Sequence, residues 1–464
     1  MYTIKFGTDG WREIIAKDYT VENVRRVTAG TAQWILNTGA NKKIVLGHDC
    51  RFGGDLFART AAEVFVDFGI EVIMADKFVS TPMVSMAAKE FDAGLGIVLT
   101  ASHNPASYNG FKLKAPFGGP VLPADVSAIE ALIPESVNLT VSFEDAKASG
   151  KISLSSFEDL YYGKAAATFD LNLLRANGDK FIYDAMFGAG QDIFRRLIPE
   201  ATVLHGDFNP SFNGTAPEPI AKNLEEISLA IQSGDYLCGL ATDGDADRIG
   251  FFDGEGNFVD SHHLILLLMQ YLVLDKGFSG KVVKSFSVSD KVQVLAEQMG
   301  LDTITTKIGF KYICSHMVTD DVLVGAEESG GIAIKGHIPE RDGIWMGLAL
   351  MQYCLKMGKT VRELIEDVYK ITGSFAVERY DLHLDEAKKI AIIEQAKTGG
   401  FTSFGSYTIV STEDTDGFKF RLNTGSWVMI RPSGTEPVLR VYAEAANSEE
   451  AFKILDETKN SILA

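Results

Sequence analysis

The sequence predicts an α/β fold: three similar α/β domains facing one central cleft, then a C-terminal α+β domain with a mostly antiparallel sheet. Three observations predict it. Short apolar strand-like runs alternate with helix-like stretches as far as Val324. The runs Ala93–Leu99, Leu237–Leu240 and Val322–Val324 each lead into a polar loop and then a second strand-like piece. Beyond Phe375 the pattern changes to several strand-like runs with few helices.

Taken in order, the first unit reads as helix Val21–Leu36, strand Lys43–Leu46, helix Asp55–Phe68, strand Glu71–Met74, helix Pro82–Lys89 and strand Ala93–Leu99. A piece from Tyr108 to Leu113 follows the loop, and Leu122 to Ser156, rich in Pro, Ser and Glu, reads as surface connection. The second unit has strands Phe181–Tyr183, Thr202–Leu204 and Leu237–Leu240, with helices around Ile193–Leu197 and Leu224–Ile231. The third has helix Leu264–Leu274, strand Val282–Phe286, helix Val292–Gln298, strand Thr303–Thr305, helix Lys311–Met317 and strand Val322–Val324. A period of about a hundred residues is too long for a solenoid, so three like domains facing one cleft is the simpler reading. In the tail, Phe375–Leu384, Tyr407–Val410, Phe418–Leu422 and Val428–Ile430 read as strands, and Glu386–Ala396 and Glu449–Ile462 as helices. The expected domains are residues 1–155, 156–256, 257–371 and 372–464.

A chain of 464 residues is too long for one core. Its net charge of −18 disfavours nucleic acid and anionic membranes as partners, so an anionic substrate would have to be gathered by cations focused in a cleft. No stretch reaches the ~20 apolar residues of a membrane span, and the N-terminal residues lack signal-peptide character. Cys50, Cys238, Cys314 and Cys354 are scattered without a CxxC pair, which points to a reducing, cytoplasmic setting and away from zinc.

The loops differ in chemistry. Thr100-Ala101-Ser102-His103-Asn104-Pro105 puts a serine on the polar loop leaving a buried strand, a place for a nucleophile or phosphate carrier; a plain Ser/Asn/Pro turn is the bland reading. Asp243, Asp245 and Asp247 stand at alternate positions, suited to a hard divalent cation. An EF-hand is excluded, because Arg248 and Gly254 stand where it needs Gly and Glu. A solvated acidic turn remains the alternative. Arg248 is placed for a phosphate. Arg431-Pro432-Ser433-Gly434-Thr435 is an anion site by composition, though turns use the same residues. Glu327 and Ser329 suit sugar hydroxyls, and Glu328 reads as a solvated strand residue. Lys112 is either a surface lysine or a base beside a phosphorylated Ser102. His103 is either an acid/base group or a loop-fixing hydrogen-bond partner.

Together, FGTDGWR, TASHNP with Lys112, DGDADR, GAEESGG and RPSGTEP resemble, in order and approximate spacing, the α-D-phosphohexomutase superfamily over essentially the whole chain. The resemblance implies four domains arranged around a central cleft, the first three of mixed α/β topology, a phosphoserine at Ser102, and Mg²⁺ held by Asp243, Asp245, Asp247 and the phosphoserine oxygen. It implies exchange of phosphate between hexose 1- and 6-phosphates through a bound hexose 1,6-bisphosphate, with glucose 1,6-bisphosphate as the activating intermediate. Lys112 is the expected general base, with His103, Arg248 and Arg12 also catalytic. Arg431, Ser433, Gly434 and Thr435 are expected to hold the non-reacting phosphate. Glu327, Ser329, Lys284 and His337 complete the expected substrate contacts. The Glu-Glu-Ser form of the third loop is similar to glucose-preferring phosphoglucomutases, while Gly331 stands where mannose/glucose and glucosamine enzymes commonly carry histidine. Phosphomannomutase and phosphoglucosamine mutase are the alternatives, and a phosphoserine-dependent sugar phosphatase or a non-catalytic sugar-phosphate binder the rival classes. A monomer or homodimer acting on small hexose phosphates is expected.

Overall fold

The computed structural model describes residues 2–7, 9–432 and 438–464. Four sheets follow one another along the chain. In the first, the strands run in the order Trp11–Ile14, Tyr108–Lys114, Leu95–Leu99, Lys43–His48, Glu71–Ala75, Ile152–Ser155. The last four of these are mutually parallel, whereas Tyr108–Lys114 pairs antiparallel with Leu95–Leu99, Val98 facing Lys112. Leu95–Leu99 is buried along its whole length, which is why it reads as a continuous apolar run and not as an alternating one.

The second and third sheets repeat the same device. Cys238–Thr242 runs parallel to Phe181–Asp184, then turns back antiparallel as Ile249–Asp253. Val322–Ala326 runs parallel to Lys281–Ser285 and turns back as Ile332–Ile334. Each of the three polar loops is therefore the tip of a hairpin that begins on an interior strand, where the framework behind it is stiff. The fourth sheet is all antiparallel: Ala376–His383, Val438–Ala445, Trp427–Pro432, Phe418–Leu422, Tyr407–Glu413, Ser403–Phe404. Three mixed α/β domains and an antiparallel C-terminal domain are thus present as the sequence predicts.

Helix ends follow local chemistry. Val21–Thr38 starts where the Thr20 hydroxyl accepts from Asn23 N–H and stops at left-handed Gly39. Gly343–Met357 starts where the Asp342 carboxylate accepts from Trp345 N–H.

Several elements differ from the sequence reading. Leu122 to Ser156 is not mere connection: it holds helices Pro123–Ala131 and Phe143–Ala148 and the edge strand Ile152–Ser155. Leu264–Leu274 is α-helical only through Gln270, after which Tyr271–Asp275 forms a π-turn. The sequence reading also omits the strands Trp11–Ile14 and Val438–Ala445 and the helices Phe157–Thr168, Gly343–Met357 and Val361–Thr372.

One apolar core runs without a break from the first domain through the second to the third, joining Val45, Val84, Tyr183, Leu240, Leu267 and Met346. The C-terminal domain has a core of its own around Phe404, Phe420, Val441 and Ile454. It meets the third domain through a small patch, Phe286 against Trp427, Met429 and Tyr442. No helix among the described residues is long and apolar enough to cross a membrane.

Candidate active site

The tips of the first two hairpins meet. Ser102 stands in the left-handed region at φ +53, and its N–H donates to Thr100 Oγ1 at 2.8 Å. Its Oγ donates to Asp243 Oδ2 at 2.8 Å across the domain boundary. A Cβ on Gly244 would lie 2.6 Å from the Ser102 carbonyl oxygen, so the glycine is what lets the acidic loop close on the serine.

Asp243, Asp245 and Asp247 are buried, and carboxylate oxygens of all three lie within 4.8 Å of one another. Asp245 accepts from the Thr81 hydroxyl at 2.5 Å. Burial, with Asp245 and Asp247 alongside, pushes the Asp243 carboxyl well above its ordinary value. Burial acts the same way on Asp245, but the Lys112 ammonium, the Thr81 hydroxyl and Arg12 together outweigh it and hold that carboxyl far below the usual range. The Oδ1 atoms of Asp245 and Asp247 are buried without a hydrogen-bond partner among the described residues. Clustered hard oxygens, two of them unsatisfied, fit a divalent cation well.

Lys112 is not a surface lysine. Its Nζ lies 2.8 Å from Asp245, 3.0 Å from Asp247 and 2.9 Å from Asp9. Burial works against the charge, yet those three carboxylates raise the lysine above its ordinary value. As placed, Lys112 is held in its charged form. His103 is the converse: burial, then Arg248 and Arg12, push its ring well below the normal value, and its Nδ1 lies 3.4 Å from Ser102 Oγ. Arg12 donates to Asn104 Oδ1 at 3.0 Å, so it lies along the same loop. Arg248 N–H donates to Asp243 Oδ1 at 3.1 Å, while its buried Nε lacks a partner among the described residues.

In the third hairpin, Glu327 accepts from Gly309 N–H at 2.9 Å, and burial raises its carboxyl to about 7. Glu328 corrects the sequence reading: it lies in the turn, not in a strand, and it is engaged. It accepts from Ser287 at 2.5 Å and from the Tyr442 hydroxyl at 3.3 Å.

Such a constellation, four domains with a serine, an acidic triad and an arginine-bearing last domain, has close likenesses. Sequence families described as phosphoglucomutase/phosphomannomutase domains I, II, III and C-terminal match residues 3–139, 159–256, 260–371 and 382–461. A crystal structure from Thermus thermophilus, described as a candidate phosphomannomutase, superposes with a TM-score of 0.88 at 30% identity over 100% of both chains. The chain belongs to the phosphoglucomutase/phosphomannomutase family. It is similar to a phosphoglucosamine mutase of Clostridium novyi, 29% identical over 97% of this chain and 96% of that one. It is also similar to a phosphoglucomutase/phosphomannomutase of Thermococcus kodakarensis, 27% identical over 97% and 96% of the two chains.

Two further expected substrate positions of this phosphohexomutase are engaged by protein groups. His337 is packed away: its Nε2 lies 2.9 Å from Asp342 and its ring stacks on Trp345 at 3.8 Å. Lys284 donates to the carbonyl oxygens of Val288 and Ser289 and to Asp290 Oδ1 at 3.0 Å, next to the C-terminal domain. Ser329 sits in the turn of the third hairpin. Arg431 lies at the end of the strand Trp427–Pro432, with its Nε 3.4 Å from Asp416. Ser433, Gly434 and Thr435 lie outside the described residues.

Three residues to which the sequence reading assigns no role stand in the mutase site. Arg341 reaches Asp9 at 2.6 Å and Asp247 at 2.8 Å, joining the third domain to the first two. In the sequence, Asp9 is visible only as part of a Gly-rich run. Arg51 donates to the carbonyl oxygens of Ser102, Asn104, Pro105 and Tyr108, and pairs with Asp49 at 3.2 Å. Nothing in an ordinary loop marks an arginine as the core of its neighbour.

Proposed function

We propose that this phosphohexomutase interconverts the 1- and 6-phosphates of glucosamine through a phosphorylated Ser102 and a bound hexosamine 1,6-bisphosphate. The observation that carries the phosphoserine is the Ser102 hydroxyl set 2.8 Å from Asp243, at the edge of the acidic triad. The amino sugar is supported by relatives named phosphoglucosamine mutase, including the Clostridium novyi protein. A cationic C2 ammonium would also be welcomed by Glu327, whose carboxyl burial raises to about 7 in spite of the Arg341 and Arg248 charges.

The free hydroxyl of the monophosphate attacks the phosphorus of phospho-Ser102. An O–P bond forms to the sugar as the bond to Ser102 Oγ breaks. The neutral His103 ring is the acceptor for the hydroxyl proton, and Lys112, which keeps its own, neutralises gathering charge. Arg248, with its spare N–H, steadies the transferring phosphoryl group. The bisphosphate then reverses in the cleft and returns its other phosphate to Ser102. In each of the two transfers, Arg431, with Ser433, Gly434 and Thr435, grips the phosphate that is not reacting, releasing it for the reversal between them. Asp243, Asp245 and Asp247 would hold Mg²⁺, which draws off negative charge from the phosphoryl oxygens.

Glucose is the second reading, favoured by the Glu327-Glu328-Ser329-Gly330-Gly331 form of the sugar loop. Turnover on glucosamine, glucose and mannose 1-phosphates decides between them. Preference for glucosamine by kcat/KM supports the proposal, and a higher value for glucose replaces it. Release of free phosphate with no 6-phosphate product would make the protein a phosphatase.

A further inference from the structure

Arg431 lies beside the turn that joins the strands Tyr407–Glu413 and Phe418–Leu422. Gly417 in that turn has φ +92, and a Cβ there would lie 2.7 Å from the Ile430 carbonyl oxygen and 3.0 Å from Arg431 Cβ. The turn is thus laid flat against the backbone that carries the arginine, where no side chain fits. Its neighbour Asp416 places Oδ2 3.4 Å from Arg431 Nε. The same oxygen accepts from Ile308 N–H, in the third domain, at 2.8 Å. Adjacent Gly309 donates its N–H to Glu327 Oε1 at 2.9 Å.

One carboxylate of the C-terminal domain therefore faces the arginine on one side. On the other it faces the peptide segment that fixes the sugar-loop glutamate. Arg431 Nε is buried and makes no hydrogen bond among the described residues, so the Asp416 charge is what holds that edge of the guanidinium. With that edge held, the remaining N–H groups, which make no hydrogen bond among the described residues, are left for an anion. From sequence alone, Asp416-Gly417 is an ordinary turn pair.

We infer that Asp416 is a positioning residue: it aims Arg431 at substrate phosphate only while the C-terminal domain is seated on Ile308 and Gly309. Phosphate grip and sugar contact are then completed by one docking event, and half-closed molecules hold neither end of the substrate well. The inference rests on the reading of Arg431 as the grip for the non-reacting phosphate.

Two variants separate the duties of Asp416. Asp416→Asn keeps an oxygen for Ile308 N–H and removes the charge facing Arg431. Asp416→Ala removes both. With the hexose 1-phosphate that the wild type turns over fastest, Asp416→Asn should raise KM about tenfold and leave kcat within about twofold. Asp416→Ala should raise KM at least as much and also lower kcat roughly tenfold, because Gly309 and Glu327 lose their brace. Ser102 phosphorylation by intact mass should match wild type in both, a split that general loosening of the fold would not give. Arg431→Ala, measured alongside, distinguishes two failures. A raised KM in Arg431→Ala with wild-type KM in Asp416→Asn overturns the role of Asp416 alone. An unchanged KM in Arg431→Ala overturns the phosphate grip and the positioning role with it. Should Asp416→Ala fail to fold, Asp416→Asn carries the test.

Discussion

Arg51 lies under the Ser102 loop with its Nη2 2.5 Å from the Ser102 carbonyl oxygen. Four backbone carbonyls of that loop converge on one guanidinium, and Asp49 balances its charge. The loop has little apolar substance of its own, so this cation is its core. Arg51→Lys keeps the charge but cannot reach all four oxygens from a single nitrogen. Each lost charge-assisted bond is worth about 1.5–3 kcal/mol. A fall in kcat on the order of a hundredfold is expected, with lower melting temperature. Wild-type kinetics in that variant would show that the loop holds its shape unaided.

Ser102→Ala should abolish turnover and remove the protein-bound phosphate. Intact-mass comparison of the two proteins checks it. A variant that stays active, or keeps a stable phosphate elsewhere, removes Ser102 from the mechanism.

Divalent-ion chelation should stop turnover, and Mg²⁺ should restore it, while Ca²⁺ should bind and restore little because its looser coordination orients the phosphoryl group poorly. Asp245→Asn should weaken Mg²⁺ binding at least tenfold by calorimetry. Undiminished activity in excess chelator would exclude the metal role.

Glu327 gives a pH signature. Its carboxyl titrates near 4.5 when unfolded and at about 7 in the buried site. Between those values the folded protein retains a proton that the unfolded chain has released, so stability falls as pH rises, and the penalty is complete above about 7. Its size is on the order of 3 kcal/mol. Glu327→Gln should therefore be stabilised over wild type at pH 8 and lose that advantage at pH 4. Urea midpoints at the two pH values check the sign; equal shifts at both would contradict burial as the cause.

Much of this is legible in the sequence, for identifiable reasons. Runs such as Ala93–Leu99 announce interior strands, and the polar residues that follow them can lie only at hairpin tips. What escapes is written in no local pattern. Gly343–Met357 is buried from Gly343 to Cys354, so no polar face marks its period. Ile152–Ser155 buries little beyond Ile152, so it reads as connection. Lys112 and His337 stand out in the sequence as chemical groups, but only tertiary packing shows one held by three carboxylates and the other stacked on Trp345. Arg51, Asp9 and Arg341 act on partners far along the chain, and spacing carries no trace of that.

Heating should take the molecule apart unevenly, because the C-terminal domain has a core of its own. The three α/β domains share an apolar interior, beside which the first has a second core around Trp11, Leu46 and Phe111, while the fourth is joined to the third by the small Phe286 patch, the charged contacts around Asp290 and the Ile308–Asp416 and Tyr442–Glu328 hydrogen bonds. The fourth domain should therefore melt first, in its own calorimetric transition. A warmed molecule would then lose its hold on sugar phosphates while the serine loop and its acidic neighbours stay assembled. On cooling, only one domain has to refold before work resumes.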